Sequence, residues 1–473
     1  MQFTELSGYH VRTGECTILR PFFRTGGTNV VADPRPAAYV QEAHLRVARA
    51  RREAGRTAAS WLGTAFELPG RPDFAALERA LLGWIDRHET LRSVLSYTEH
   101  GISRSTLSQG DVGIGRWDLG HFGSAHALAA RLENLFDSET DPLTWPSYVF
   151  AAVSHRDSFT VYVSLDHSNV DGYSILLIAH EISDLYCAET CGRPAELGAV
   201  GSYVDFAGAE RRSAGQVLAD HQTVAAWRDF LLSHGGELPA FPVPVNPEQT
   251  ASVAQDGTCH LLLDPDETAV FEARCRELGG TFMAGSPACL ALAGQAETCC
   301  GVFGALMSMH TRSAVEWAES MGWYVGLAPL EVTVRPGDAF PDVLTAVTAA
   351  TRAAKAMAAI PFERIAELLG CCLTPRFVVS YMDLRRVPGR GPVGRLEGGR
   401  AALAQPARRR GLPVVDPVVG GAAAFGAISG HRCRTCGAAP LLRPRGAGSA
   451  RGRGRAAAGS LRKGPTDVDD HDH

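Results

Sequence analysis

Apolar and polar positions fall into two successive sets of strand and helix signals. The first set opens with ASWLGTAFELPG (Ala59–Gly70), an apolar stretch closed by Pro69-Gly70, which predicts a strand. DFAALERALLGWIDRHETLRSVL (Asp73–Leu95) follows. Its Leu77, Leu81, Leu82 and Ile85 recur at helical spacing behind Asp73, a candidate N-cap, and predict a helix. WPSYVFAAVSHRDSFTVYVSLDH (Trp145–His167) holds two apolar strands around a polar turn, the signature of a hairpin. In GYSILLIAHEISDLYCA (Gly172–Ala188), Ile175, Ile178, Ile182 and Leu185 share one helical face.

A polar helical stretch around Ser202–Leu232 leads into ELPAFPVPVNPEQ (Glu237–Gln249), whose prolines cannot lie inside a helix and mark a crossing or linker. The pattern then restarts with a strand at Cys259–Asp264 and a helix at Pro265–Leu278. GVFGALMSMHTR, WYVGLAPLEVTV and PRFVVSYMDL add three strand candidates. This order predicts an α/β protein of two related lobes, residues 1–205 and 206–388, the second including the linker. Residues 389–473 form an atypical tail.

Composition narrows the setting. The chain has 473 residues, enough for two buried cores, with an ordinary 45% apolar and 21% charged content. No run of about 18 apolar residues suggests a membrane span, and the opening MQFTELSG lacks a signal-peptide pattern. The 12 scattered cysteines then read as reduced thiols, so a cytoplasmic protein is expected. Charge is uneven: residues 389–473 carry 15 basic and 6 acidic residues, whereas the other 388 carry 31 and 45. That tail is rich in Gly, Ala, Arg and Pro and shows neither strand nor helix period. Two accounts of it stay open. One is a disordered basic extension. The other is a shifted reading frame: displaced by one base, GC-rich codons for RGPVGRL (Arg390–Leu396) spell acidic residues and tryptophan. The tail is therefore expected to be irregular and little packed, with no nucleic-acid partner.

The informative segment is SLDHSNVDGYS (Ser164–Ser174). A strand delivers His167 into a short loop, Asp171 lies four residues on, and Gly172 opens the apolar helix. Acyl transfer from a thioester needs a base for the acceptor's proton and donors for the oxyanion of the tetrahedral intermediate. His167 is a base titrating near neutral pH. The Gly172 amide is expected at a helix N-terminus, where free N–H groups favour negative charge.

His167, Asp171 and Gly172 fit the HxxxDG core of the condensation-domain superfamily, which includes nonribosomal peptide condensation domains and chloramphenicol acetyltransferase. The resemblance implies two chloramphenicol-acetyltransferase-like lobes in a V, a central tunnel with His167 at its floor, and Asp171 in a structural salt bridge. The family's fuller pattern has two adjacent histidines. Here the first is Asp166, as in stand-alone members related to the polyketide-associated acyltransferases. RHETLRS (Arg87–Ser93) resembles the family's RHExLR element and makes Arg92, ahead of Arg87, the expected partner of Asp171. SMGWYVGL (Ser320–Leu327) resembles the Gly-Trp segment closing the second lobe, so Gly322 and Trp323 are expected to wall the cleft. SYMDLRRVPG (Ser380–Gly389) resembles a late strand near the active site, and YVQEAHLR (Tyr39–Arg46) stands where the opening motif lies.

The resemblance implies a phosphopantetheine thioester donor, on coenzyme A or on an acyl or peptidyl carrier protein, and a small-molecule amine or hydroxyl acceptor. It implies no bound cofactor, no metal and no covalent acyl-enzyme. The competing reading is a condensation-like module that only recruits partner proteins; an intact His167 and Gly172 speak against it. His88, His180 and His310 are expected to be packing or surface residues. Cys433 and Cys436 form a solitary CxxC without a second ligand pair for zinc.

Overall fold

The computed structural model describes residues 2–5, 9–24, 30–55, 59–99, 101–242 and 260–383, with three tail strands at 402–405, 414–418 and 421–423. In chain order the first part contains β1 (Gln2–Glu5), β2 (Gly14–Phe23), β3 (Val31–Asp33), α1 (Tyr39–Glu53), β4 (Trp61–Pro69) and α2 (Phe74–Arg87). It continues with β5 (Ser93–Thr98), β6 (Gly101–Thr106), β7 (Val112–Phe122), α3 (Ala125–Glu139), β8 (Tyr148–Ser154), β9 (Ser158–Asp166) and α4 (Ser174–Cys191). Helices α5 (Tyr203–Gly215) and α6 (Gln222–Ser233) lead to β10 (Leu261–Leu263), α7 (Pro265–Glu277), α8 (Phe282–Thr298) and β11 (Val302–His310). Then come β12 (Val325–Thr333), α9 (Phe340–Met357), α10 (Phe362–Leu369), β13 (Val378–Tyr381) and the tail strands β14 (Ala402–Gln405), β15 (Val414–Val418) and β16 (Gly421–Ala423).

Two mixed sheets organise two α/β lobes. The first runs β1-β14-β4-β9-β8-β2-β7 and the second β10-β16-β15-β13-β11-β12, while β3-β6-β5 form a small third sheet. Period-two alternation along β8 explains how the first sheet is covered. Phe150 and Ala152 face Leu77, Leu81, Trp84 and Ile85 of α2 and Ile178 and Ile182 of α4. Val149, Ala151 and Val153 face Leu128, Leu132, Leu135 and Phe136 of α3. Each such fully buried aliphatic or aromatic side chain contributes about 1.5–3 kcal/mol of transfer free energy. In the second lobe α8 and α9 pack against Ala305, Met307, Ala328 and Leu330. Trp227, Phe230, Phe362 and Ile365 of α6 and α10 pack around Leu306 and Val378. Among the described residues no single helix is long and apolar enough to cross a membrane.

The helix expected over Asp73–Leu95 stops at Arg87. Asp73 does cap it, accepting from the Ala76 amide. His88 leaves the helical region (φ −109°, ψ 98°) with its ring buried, and Ser93 onward pairs with β6. Of the tail, three short segments are described. Residues 402–405 enter the first sheet between β1 and β4, and 414–418 and 421–423 extend the second. These strands are only three to five residues long. Backbone pairing to an existing edge orders such segments without any side-chain period that a sequence would display. The rest of 389–473 lies outside the described residues, as does most of the proline-rich crossing.

Candidate active site

Strand β9 ends at Asp166, and a 3-10 turn, His167–Asn169, carries the chain toward α4. The His167 amide donates to the Ser60 carbonyl at the head of β4 (3.0 Å). His167 is 8% exposed, and its ring lies on the Trp323 indole, with centroids 3.8 Å apart and planes 30° apart. Trp323 reaches the histidine from a segment of the second lobe. Gly322 beside it is required sterically, since a Cβ there would stand 2.3 Å from the Tyr203 ring. The Tyr203 hydroxyl in turn donates to the Trp323 carbonyl (3.0 Å).

Asp171 closes the turn and is buried. Its carboxylate accepts from Arg312 Nη1 and Nη2 (2.9 and 3.2 Å), the Tyr324 amide (3.0 Å) and the Ser174 amide (2.7 Å). Burial alone would push its pKa up. The Arg312 charge and these hydrogen bonds outweigh burial and hold the group below the usual carboxylate range. Arg312 also donates to Ser174 Oγ (2.6 Å), whose hydroxyl donates to the Gly322 carbonyl (3.0 Å). The guanidinium lies over the rings of Tyr173 and Tyr324, 4.7 and 4.3 Å from their centroids. With its lone pairs taken up in this way, Asp171 is a cross-lobe anchor.

The expected partner was Arg92, and the structure corrects this to Arg312. Arg92 is buried at the end of the 3-10 turn Glu89–Arg92, where it donates to the Leu107 carbonyl and approaches Asp86. The rest of RHETLRS is structural as well. Glu181 of α4 accepts from Trp84 Nε1 (2.9 Å), Arg87 Nε (3.0 Å) and His88 Nε2 (2.7 Å). His88 Nδ1 accepts from the Met321 amide (3.4 Å), two residues before Trp323. Glu89 binds Arg35 and Ser202.

Gly172 stands at the entrance to α4: the Asp171 carbonyl accepts from the Ile175 amide (3.1 Å) and its carboxylate from the Ser174 amide (2.7 Å), and the regular helix runs on from Ser174. A Cβ on Gly172 would stand 2.8 Å from Met382 Cε, which gives the glycine a packing reason.

Asp166 is 0% exposed and occupies the place where the fuller motif has a histidine. Its carboxylate accepts from the Ser168 amide (2.7 Å), from Ser60 Oγ and from His44 Nε2 of α1 (3.0 and 3.1 Å to its two oxygens). Burial raises its pKa, but the His44 contact and the hydrogen bonds win and hold it well below the usual range. Gln41, one turn earlier on α1, donates to the Ser168 carbonyl (2.8 Å). Sequence reasoning missed Arg312, His44, Ser174 and Tyr324. Arg312 stands just past β11, in the MHTR that closes a strand candidate, but nothing local sets it apart from the chain's other arginines.

This fold and this motif define a class. Residues 53–371 match the model of the Condensation domain, and the chain belongs to that family. It is an acyltransferase of the condensation type, similar to acyltransferase PapA3 of Mycobacterium tuberculosis (28% identity over 359 residues, 75% of each chain). It is also similar to 2'-acyl-2-O-sulfo-trehalose (hydroxy)phthioceranyltransferase PapA1 of the same organism, at 27% identity over 351 residues, 74% of this chain and 67% of that one. The solved PapA2 acyl transferase superposes with a TM-score of 0.81 at 24% identity, covering 91% of this chain and 95% of that one.

Proposed function

We propose that the protein transfers an acyl group from a phosphopantetheine thioester, on coenzyme A or a carrier protein, to a hydroxyl of a small polyhydroxylated acceptor. The observation that carries this reading is the placement of His167. It sits on a turn fixed at both ends by buried carboxylates, with its ring against an indole in a low-dielectric wall. The hydroxyl oxygen forms the new C–O bond while His167 takes its proton. The tetrahedral intermediate then expels the thiolate, the C–S bond breaks, and the proton passes from the imidazolium to sulfur. The turn before α4, with Gly172, faces developing negative charge with the helix dipole. Asp171 and Asp166 hold the turn and carry no proton.

Two observations favour a hydroxyl over an amine. The relative PapA1 is named for a trehalose derivative. Beside the turn lies a shallow depression whose lining includes Gln41, Thr90, Ser147, Ser168, Asn169 and Trp145. All the lining residues are uncharged, and hydroxyls and amides beside an indole suit an uncharged polyol. The test is release of free thiol from acyl-coenzyme A or an acyl carrier protein, with trehalose and an amine offered as competing acceptors. Ester formation that falls by about 100-fold or more in H167A, with melting unchanged, is the expected result. Near wild-type turnover by well-folded H167A removes the histidine from the mechanism, and exclusive amide formation removes the hydroxyl acceptor.

A further inference from the structure

We propose that His44 is a positioning residue for His167, acting through Asp166; this rests on the reading of His167 as the base. Helix α1 touches the 3-10 turn at two places one helical turn apart. Gln41 holds the carbonyl of Ser168, and His44 Nε2 meets both oxygens of Asp166. Asp166 in turn accepts from the Ser168 amide, so its carboxylate caps the turn whose first residue is His167. The His44 ring also meets the edge of Trp323, with centroids 5.4 Å apart and planes 76° apart, while the face of the same indole carries His167. One indole thus rests against both imidazoles, and one carboxylate joins His44 to the backbone of the His167 turn. Where the fuller motif has a histidine next to the base, this chain has a buried carboxylate and brings an imidazole to it from α1.

The contact has an electrostatic side. The ionisable side chain held against Asp166 is His44, from α1. Its other partners, Ser60 from the head of β4 and the Ser168 amide, are neutral, and His167 follows it in the chain. A buried anion one residue from an imidazole favours the imidazolium. A donor held against that anion offsets part of its field, so His44 tunes the base as well as orienting it.

The experiment compares H44A, H44Q and D166N with H167A in the thiol-release assay, using the full-length chain. H44A is expected to lower kcat about 10- to 100-fold, the scale of a small misplacement of a catalytic group, with KM nearly unchanged. The acidic midpoint of kcat/KM, which reports the base of the free enzyme, is expected to move up in H44A and down in D166N. H44Q keeps a donor to Asp166 and is expected to recover most of the lost kcat. If H44A destabilises the fold, H44Q and D166N still carry the comparison, because a merely structural role would not move the midpoint. Wild-type kcat and midpoint in H44A beside an inactive H167A would overturn the proposal and leave the function standing. So would an effect on KM alone. An active H167A would instead overturn the reading of the base itself.

Discussion

Asp166 and Asp171 lie five residues apart, one before and one after the turn that carries His167, and both are buried. Asp171 is tied to the second lobe. Its main partner is a guanidinium, charged at every pH the protein meets, and its other contacts are backbone amides of Tyr324 and Ser174. Asp166 is tied within the first lobe, to an imidazole from α1 and a hydroxyl from the head of β4. One end of the turn is therefore locked across the lobes by a buried ion pair. The other is held within the first lobe by hydrogen bonds to a side chain of α1 and to the head of β4.

The largest expected effect comes from breaking the cross-lobe end. R312A leaves Asp171 as an uncompensated buried charge and should cost about 3–5 kcal/mol of stability in urea unfolding, with loss of activity. D171A should match it, whereas D171N keeps its amide contacts and should cost about 1–3 kcal/mol. The same unfolding curves on R92A test the corrected partner. If R92A, and not R312A, reproduced D171A, the assignment of Arg312 would be wrong. Next in size is G322A, whose new methyl meets the Tyr203 ring; overpacking there should cost about 1–3 kcal/mol and displace Trp323 from His167, visible as changed indole fluorescence.

Acid should act on both ends. Asp166 and Asp171 have folded-state values held below the usual range. Their stabilisation is present above the unfolded carboxylate pKa and is lost as pH falls through the folded values. D166N and D171N should each flatten the acidic limb of a melting-temperature profile; an unchanged limb in both would show that other groups dominate acid unfolding. The smallest effect concerns α1 itself. Glu210 of α5 accepts from the Tyr39 amide (2.9 Å) at the first residue of that helix. Burial, with the nearby Glu363, pushes its carboxyl up to about 7. A raised acid contributes stability below its unfolded value near 4.5, lost as pH rises through about 7. E210Q should remove that slope, and a slope equal to wild type would assign it to another group.

What the sequence displayed is what is local. HxxxDG was legible because a strand, a turn and a helix follow one another within a few residues, and β4, β8, β9 and α4 carry clear periods. Arg312 was illegible because it stands 141 positions after Asp171, beyond α4 to α8, the linker, β10 and β11, and a chain rich in arginine offers many alternatives. RHETLRS pointed to Arg92 because its motif is contiguous, yet its ion pairing runs through Arg87 and His88 to Glu181. YVQEAHLR was noticed without a role: Gln41 and His44 share a helical face, but only the fold shows that this face meets Asp166. The glycines at 172 and 322 were visible as letters, and the side chains that require them were not.

Strand β14 has a consequence for how the chain is made. It pairs antiparallel with β4, Ala402 opposite Ala65, and parallel with β1. A ribosome releases β4 long before β14. Throughout the intervening synthesis, at about 5–20 residues per second, the edge of β4 beside the catalytic turn stands open as a template for foreign strands. The first lobe starts early and finishes late. A nascent chain stalled before residue 402 would hold every residue of the His167 turn and its supports and still lack the strand that covers the edge of β4.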